Sequence, residues 1–261
     1  MVWRILKYLE HLFHFRYRHG RHIHSPYLFE FVHDVIFNAS KREVPVEIRE
    51  VHQALRNDRN LIPAATLGAP SLVDQSENRT VRSFVRGSSV SPKQGALLYR
   101  ITQWFKPEMI LEMGTGLGIS TIYLAAGCSN AILHTIEGNH DRAEFAATVI
   151  KRCELDGVKV HWGDMDQKLN GLIPEFKGRF IAFVDANHRF GPTVQYVERL
   201  MAQRGDEALI IMDDIYWSKG MNRAWKEVIS WPGVRVSIDL YHMGILLLRE
   251  DLHKEQLKIK F

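Results

Sequence analysis

The chain has 261 residues, of which 46% are hydrophobic and 25% charged, and its formal net charge is +4. This composition is typical of a globular protein with one large domain, or one domain and an appendage. Its apolar runs fall short of the roughly 18 residues that a membrane-spanning helix needs. Cys128 and Cys153 form neither a disulfide framework nor a metal-binding spacing, which favours a reducing, cytoplasmic setting.

The first twenty residues, MVWRILKYLEHLFHFRYRHG, predict an amphipathic helix. Its apolar positions include Val2, Leu6, Leu9 and Phe13, and the charged residues between them exclude the hydrophobic segment of a secretory signal. Two interpretations stay open. The helix packs on its own domain, or it makes peripheral contact with an anionic membrane surface.

The segment HFRYRHGRHIH (14–24) combines histidines with arginines. Its histidine spacing matches no metal-binding helix pair, which argues against a metal site. Its basic residues are scattered among aromatic residues that a packing face also needs, which argues against nucleic acid as a partner.

Two domains are predicted. Residues 1–90 form a helical cap and a loop, in which HSPYLFEFVHDVIF (24–37) is a second helix with Ser25 as N-cap and Pro26 at its first position. The prolines, glycines and polar clusters of residues 58–90 predict loop structure. Residues 91–261 form the second domain, which starts with the capped helix SPKQGALLYRITQWF (91–105).

Short apolar segments alternate with turns and helical segments beyond Pro107. This alternation predicts a parallel sheet with helices on both faces. The five predicted strands are MILEMG (109–114), AILHTIE (131–137), VKVHWGD (158–164), RFIAFVD (179–185) and EALIIMDD (207–214). Two more apolar segments, VRVSIDL (234–240) and MGILLLRE (243–250), are joined by two residues, which is too short for a parallel crossover. They predict an antiparallel hairpin at one edge of an α/β, Rossmann-like sheet.

The stretch MILEMGTGLGIS (109–120) is a predicted strand, a glycine-rich turn and the start of a helix. Such a turn usually binds an anion, because the N-terminus of a helix offers free N–H groups. Gly114, Gly116 and Gly118 form G-x-G-x-G, and Ile119 stands where the dinucleotide fingerprint has its third glycine. The loop therefore predicts an anionic ligand but argues against NAD.

An acidic residue lies at the end of each of the five predicted parallel strands. Ligands of open α/β sheets bind beyond these strand ends, so the five acids together favour a ligand site over five separate helix caps. The acids are Glu112, Glu137, Asp164, Asp185 and the pair Asp213–Asp214.

The ordered set SSVSPKQGALL, LEMGTGLGIST, HTIEGNHDRAEFA, FVDANHRFGPT and MDDIYW resembles class I methyltransferases that use S-adenosylmethionine (SAM). The resemblance covers about residues 88–250. The most similar branch is that of the catechol and caffeoyl-coenzyme A O-methyltransferases and their bacterial relatives. It implies the fold just described, SAM as cofactor, and O-methylation of a small-molecule acceptor.

The resemblance also implies how SAM is held. Backbone N–H groups from Gly116 to Ser120 bind its carboxylate, Gly114 allows close approach, and Gly118 belongs to the same loop. Glu137 accepts hydrogen bonds from the ribose hydroxyls, and Glu112 contacts the cofactor or supports the loop. The residues expected to border the adenine are Gly163, Asp164 and Met165.

The resemblance places the transfer chemistry at Asp185 and His188. Cation-dependent relatives use Asp185, Asp213 and the position of Asp214, where they carry Asn, to bind a divalent ion such as Mg²⁺. The alternative is a metal-free site in which Asp185 binds the methionine amine of the cofactor. His188 stands where catechol-type enzymes place a lysine, and its neutral imidazole is a candidate general base; a helix-capping or core role is the alternative. Asn187, Arg189 and Trp217 are weaker candidates for contact with the acceptor.

Two other functions stay open. A nicotinamide oxidoreductase is disfavoured by the glycine spacing and the terminal hairpin. A non-catalytic protein that keeps the cofactor fold could dock on a membrane or partner through its N-terminal helices, although intact DANHRF and MDDIYW segments argue for a working site.

Overall fold

The structure is a computed structural model that describes residues 2–14, 23–37, 42–63, 78–203 and 207–261. Its α-helices are α1 (Val2–His14), α2 (Pro26–Glu30), α3 (Val46–Asn57), α4 (Val81–Ser88), α5 (Pro92–Phe105), α6 (Ile119–Gly127), α7 (His140–Arg152), α8 (Met165–Leu172), α9 (Phe190–Ala202) and α10 (Lys219–Ser230). A π-helix, Phe31–Phe37, continues α2, and Ile173–Glu175 form a 3-10 turn. No helix within these ranges has both the length and the apolar character to span a bilayer.

The β-strands are β1 (Leu61–Pro63), β2 (Asn78–Thr80), β3 (Met109–Met113), β4 (Ile132–Glu137), β5 (Val158–Trp162), β6 (Phe180–Val184), β7 (Ala208–Asp213), β8 (Val236–Asp239), β9 (Met243–Leu247) and β10 (Glu255–Lys258). The five predicted parallel strands are β3 to β7, and the predicted hairpin is β8 with β9.

The predicted loop at 58–90 is wrong over part of its length. Thr80 accepts a hydrogen bond from the backbone N–H of Ser83 and so caps α4, whose Val81, Phe84 and Val85 are buried. This apolar spacing covers little more than two turns, which is why the sequence pattern missed it. The rest of the predicted loop at 64–77, and most of the histidine-rich segment 14–24, lie outside the described residues.

The predicted helix starts at Ser25 and Ser91 are confirmed. Ser25 accepts from the backbone N–H of Leu28, with Pro26 at the first position. Ser91 accepts from the N–H of Gln94, whose side chain accepts from the N–H of Ser91 in return, a reciprocal capping box.

Two compact units make up the chain, residues 39–172 and residues 1–38 with 173–261. The domain boundary expected at residue 90 stays a prediction. In the unit 39–172, β4 pairs in parallel with β3 on one side and β5 on the other. The last four residues of β3 are buried, so its carboxyl end leads directly from the core into the glycine loop.

In the unit 1–38 with 173–261, β6 and β7 are parallel, and β9 lies between β7 and β8, antiparallel to both. The predicted hairpin and the predicted fold class, mostly parallel strands with helices, are confirmed. The hairpin is not outermost, however, because β10 pairs in parallel with β8. The sequence pattern missed β10 because Leu257 is the one apolar residue of its Glu-Gln-Leu-Lys sequence.

Helix α1 is present as predicted, and it packs on its own unit through polar and aromatic side chains. His11 is buried, and its Nε2 lies 3.1 Å from the carbonyl oxygen of Ile259. Tyr241 donates its hydroxyl to the carbonyl oxygen of Arg4 at 2.7 Å and packs edge-on against Tyr8. These contacts fix α1 against the turn between β8 and β9 and against the residue that follows β10.

Candidate functional site

The glycine loop follows β3 and leads into α6. Gly114, Gly116 and Gly118 have φ angles of 103°, 55° and 82°, a region that glycine adopts without strain. A Cβ at Gly118 would lie 3.3 Å from Ala146 of α7, and one at Gly116 would lie 3.3 Å from the ring of Phe84. The loop is therefore a tight turn that needs glycine both for its backbone angles and for close packing.

Glu137, at the end of β4, fastens this loop. Its Oε2 accepts the backbone N–H of Gly116 at 2.9 Å, and its Oε1 accepts that of Asn139 at 2.9 Å. The guanidinium of Arg142 lies 3.6 Å from Oε1. A carboxylate oxygen can accept two hydrogen bonds, so each oxygen keeps an acceptor position for a ligand hydroxyl.

The loop also holds hydrogen bonds of its own. The N–H of Gly118 donates to the carbonyl oxygen of Thr115 at 2.9 Å, and that of Gly116 is taken by Glu137. The first intrahelical bond of α6 runs from Ile122 to Gly118. The N–H groups of Gly116 and Gly118 are therefore used within the loop, and the first turn of α6 offers those of Ile119, Ser120 and Thr121 to an anion.

Glu112 lies fully buried beneath the loop. Its Oε2 accepts the hydroxyls of Thr121 at 2.5 Å and Thr135 at 2.7 Å, and Thr135 in turn contacts the hydroxyl of Thr115 at 2.6 Å. Burial raises the pKa of Glu112 to about 7, against the lowering effect of these hydroxyl hydrogen bonds. Of the two predicted roles of Glu112, this network favours support of the loop.

The three residues predicted to border an adenine follow β5. Gly163, with φ of 142°, donates its N–H to the carbonyl oxygen of Glu137 at 3.0 Å. Asp164 accepts the N–H of Gln167 at 3.0 Å, which is a helix cap at the start of α8. Met165 is the first residue of α8. The glycine-loop, Glu112, Glu137 and Gly163–Met165 candidates all lie in the unit 39–172.

The other candidates form an acidic cluster at the ends of β6 and β7. His188 Nε2 lies 3.3 Å from Oδ1 of Asp185, and its Nδ1 is buried without a hydrogen-bond partner among the described residues. Both His188 and Asn187 have positive φ, of 38° and 62°. Burial lowers the pKa of His188, while the charge of Asp214 raises it.

Asp213 and Asp214 complete the acidic cluster. Burial raises the pKa of Asp213 well above its ordinary value, and the neighbouring charge of Asp214 raises it further. Asp214, with φ of 53°, has its pKa raised by burial and lowered by the charges of His188, Arg4 and His242. The cluster thus combines two carboxyl groups whose pKa values are raised with a histidine whose pKa is lowered.

The metal prediction gains no support from this geometry. Oδ1 of Asp213 is buried without a partner in the described part of the chain, as a ligand oxygen would be. Yet no group of three or more His, Cys, Asp or Glu side chains among the described residues is placed to hold an ion.

Several residues at the two sites were missed by the sequence analysis. Arg4 lies over the ring of Trp217, 4.4 Å from its centroid, and Phe84 lies against Gly116. Each residue lies in a helix that is distant in sequence from the residue it contacts, and no local sequence pattern indicates either contact. Arg142 could have been predicted, because it follows Glu137 by five residues inside the motif HTIEGNHDRAEFA.

Comparisons with known proteins address the same region. Residues 111–215, from β3 to just past the Asp213–Asp214 pair, match a family described as a methyltransferase domain. A stretch of 130 residues is 32% identical to a catechol O-methyltransferase of Niastella koreensis; it is 49% of this chain and 58% of that relative. The match therefore spans little more than half of the relative's length.

Solved structures of O-methyltransferases share the fold of this chain. One from Bacillus cereus, in complex with S-adenosylhomocysteine (SAH), is 23% identical, with a TM-score of 0.57 over 85% of this chain and 96% of that one. One from Streptomyces achromogenes, involved in tomaymycin synthesis and in complex with SAM, is 22% identical, with a TM-score of 0.60 over 83% and 95%. These comparisons confirm the resemblance to O-methyltransferases that the sequence motifs indicated.

Proposed function

We propose that this protein is a SAM-dependent methyltransferase that methylates an oxygen atom of a small-molecule acceptor. The observation that carries the proposal is the tethered glycine loop, in which three glycines of positive φ join β3 to α6 and Gly116 is bound to the carboxylate of Glu137. The catechol O-methyltransferase relative supports oxygen as the acceptor atom.

The loop fits SAM better than a dinucleotide. SAM offers one carboxylate, which the three free N–H groups at the start of α6 can bind with the favourable end of the helix dipole. The two oxygens of Glu137 each keep an acceptor position, which suits a pair of ribose hydroxyls. Gly163, Asp164 and Met165 remain our candidates for the adenine border, with Glu112 as support beneath the loop.

When bound, SAM would supply an electrophilic methyl group, which passes to the acceptor oxygen as its bond to sulfur breaks and SAH leaves. The chain must then take the proton of the acceptor hydroxyl. We assign this to His188, whose Nε2 faces Asp185 and whose Nδ1 has no partner among the described residues. Asp185 would hold the N–H on Nε2, which leaves the lone pair of Nδ1 for the acceptor proton. Asp185 binding the methionine amine instead is a second role that the same carboxylate could serve.

A divalent ion at Asp185, Asp213 and Asp214 stays a separate prediction, and the acceptor chemistry above does not depend on it. The cytoplasmic setting also stays a prediction, which the free thiols of Cys128 and Cys153 support.

Calorimetry with SAH and NAD, followed by turnover of SAM with catechol and caffeoyl-type acceptors, tests the proposal. We expect SAH to bind in the micromolar range, NAD not to bind, and a phenolic acceptor to be methylated. Binding of NAD without SAH would overturn the cofactor assignment. Tight SAH binding with no turnover on any acceptor would instead favour the non-catalytic binding protein.

A further inference from the structure

Helix α1 turns its apolar side away from the protein. Its inward side carries Arg4, Tyr8 and His11, which contact Trp217, Tyr241 and the carbonyl of Ile259. The opposite side carries four large apolar residues that we call the outer stripe. Their exposed fractions are 53% for Ile5, 60% for Leu6, 44% for Leu9 and 83% for Phe13.

This orientation is the reverse of the usual one, in which an amphipathic helix buries its apolar side against the core. The inward contacts explain why α1 does not rotate. His11 is hydrogen-bonded to Ile259 and lies 3.3 Å from Asp239, and Tyr241 donates to the carbonyl oxygen of Arg4. Rotation would leave these buried polar groups unpaired, which carries a free-energy cost for each group. A contiguous apolar stripe held outward in this way marks a docking surface.

The distribution of charge along the chain indicates what kind of partner the outer stripe binds. Residues 1–24 contain five basic residues and one acidic residue, a net charge of +4. The other 237 residues contain 29 of each sign, so the first 24 residues carry the whole net charge of the protein. Exposed apolar residues and concentrated positive charge in one short stretch of sequence are the combination that binds an anionic bilayer surface.

We propose that the outer stripe of α1 docks this protein on an anionic lipid surface, with Ile5, Leu6, Leu9 and Phe13 inserted among the acyl chains near the headgroups. A second copy of the chain is a poorer occupant, because pairing two stripes would bring two clusters of like charge together. Nucleic acid would complement the positive charge but would leave the apolar side chains of the outer stripe exposed to water. The proposal does not depend on the proposed catalytic function, because docking needs only α1 and its flanking charge.

Co-sedimentation of the full chain with vesicles tests the docking. We compare vesicles of phosphatidylcholine alone with vesicles that contain about one third phosphatidylglycerol, and expect binding to the anionic vesicles to be about tenfold stronger or more. Leu6→Glu and Phe13→Glu should each lower that binding about tenfold, because a charge replaces an inserted apolar group. The matched control is Leu61→Glu, since Leu61 is 64% exposed in β1 and lies outside the stripe; it should leave binding unchanged.

Three results would overturn the proposal. The first is that the chain does not bind anionic vesicles, and the second is that Leu61→Glu loses as much vesicle binding as the stripe variants. The third is that light scattering without vesicles shows a dimer, which Leu6→Glu converts to a monomer. Circular dichroism melting of each variant shows that the fold is kept. Because Phe13 is the more exposed of the two tested positions, Phe13→Glu decides the question if Leu6→Glu proves unstable.

Discussion

The backbone N–H of Gly116 donates a 2.9 Å hydrogen bond to Oε2 of Glu137, which ties the middle of the glycine loop to the end of the next strand. Glu137→Ala removes this tether and, in our proposal, the acceptor of the ribose hydroxyls. Hydrogen bonds to a charged group contribute about 1.5–3 kcal/mol, so SAH affinity should fall about tenfold to a hundredfold in calorimetry. Glu144→Ala, on the exposed side of α7, is the control and should leave affinity unchanged; an unchanged affinity in Glu137→Ala would contradict the assignment.

Gly118→Ala tests the packing beneath the same loop. Gly118 has φ of 82°, and an added Cβ would lie 3.3 Å from the backbone of Ala146. Backbone strain of this kind costs about 1–3 kcal/mol, and we expect a lower melting temperature together with weaker SAH binding. Gly171→Ala is the control, because a Cβ there has nothing within 4 Å, and alanine favours its helix. Equal melting temperatures for the two variants would show that the loop tolerates a side chain.

The sequence predicted those elements whose signal is local. The strands β6 and β7 are unbroken apolar runs bounded by polar turns, and the serines before α2 and α5 are strong helix starts. The acids at the strand ends followed from the general position of ligands in α/β sheets. These signals need no knowledge of distant residues.

What the sequence missed depends on contacts between distant parts of the chain. The helical spacing of apolar residues predicted α1. Which side of α1 packs on the protein is decided by the contacts of His11 with Asp239 and Ile259, more than two hundred residues away. The contacts of Arg4 with Trp217 and of Phe84 with Gly116 have the same origin. Strand β10 was missed because its Glu-Gln-Leu-Lys sequence has too little apolar character to predict a strand.

Glu112 should make the stability of the protein depend on pH. Its folded pKa of about 7 lies above its ordinary 4.5, because burial disfavours the charged form. The contribution of Glu112 to the free energy of unfolding is therefore fully present below pH 4.5 and is lost as the pH rises through 7. The loss amounts to about 3 kcal/mol at 1.36 kcal/mol per pKa unit. Glu112→Gln keeps an acceptor oxygen for Thr121 and Thr135 but cannot ionise. Denaturant unfolding should show wild type losing stability relative to Glu112→Gln between pH 4.5 and 8; parallel curves would contradict the buried-acid assignment.

The metal prediction has a direct test in the Asp213–Asp214 pair. If Asp185, Asp213 and Asp214 share an ion, chelation should abolish turnover, and added Mg²⁺ or Mn²⁺ should restore it. Asp214→Asn creates the residue that cation-dependent relatives carry and should keep or raise the metal response. Full activity in chelator, with Asp214→Asn unchanged, would leave these acids as cofactor contacts and local structure.

His188 provides the sharpest test of the chemistry. If its Nδ1 takes the acceptor proton, His188→Ala should lower kcat by roughly 10²–10⁴, the usual contribution of a positioned base. SAH affinity should change little, because we assign the main cofactor contacts to the glycine loop and Glu137. His253→Ala, which removes an exposed histidine, is the matched control and should leave kcat unchanged.

The pH dependence separates a base from a structural histidine. Burial lowers the pKa of His188 below its ordinary 6.5, and only the neutral imidazole can accept a proton. In a profile of kcat against pH, the wild-type kcat should therefore fall as the pH drops through the pKa of His188, which lies below 6.5. The His188→Ala variant should lose this acidic limb of the profile. Asp185→Asn removes the charged partner of Nε2 and should lower kcat while retaining a limb, because His188 still titrates. A His188→Ala variant that melts at a lower temperature, binds SAH more weakly and keeps the acidic limb would show that His188 supports the site and that another group takes the proton.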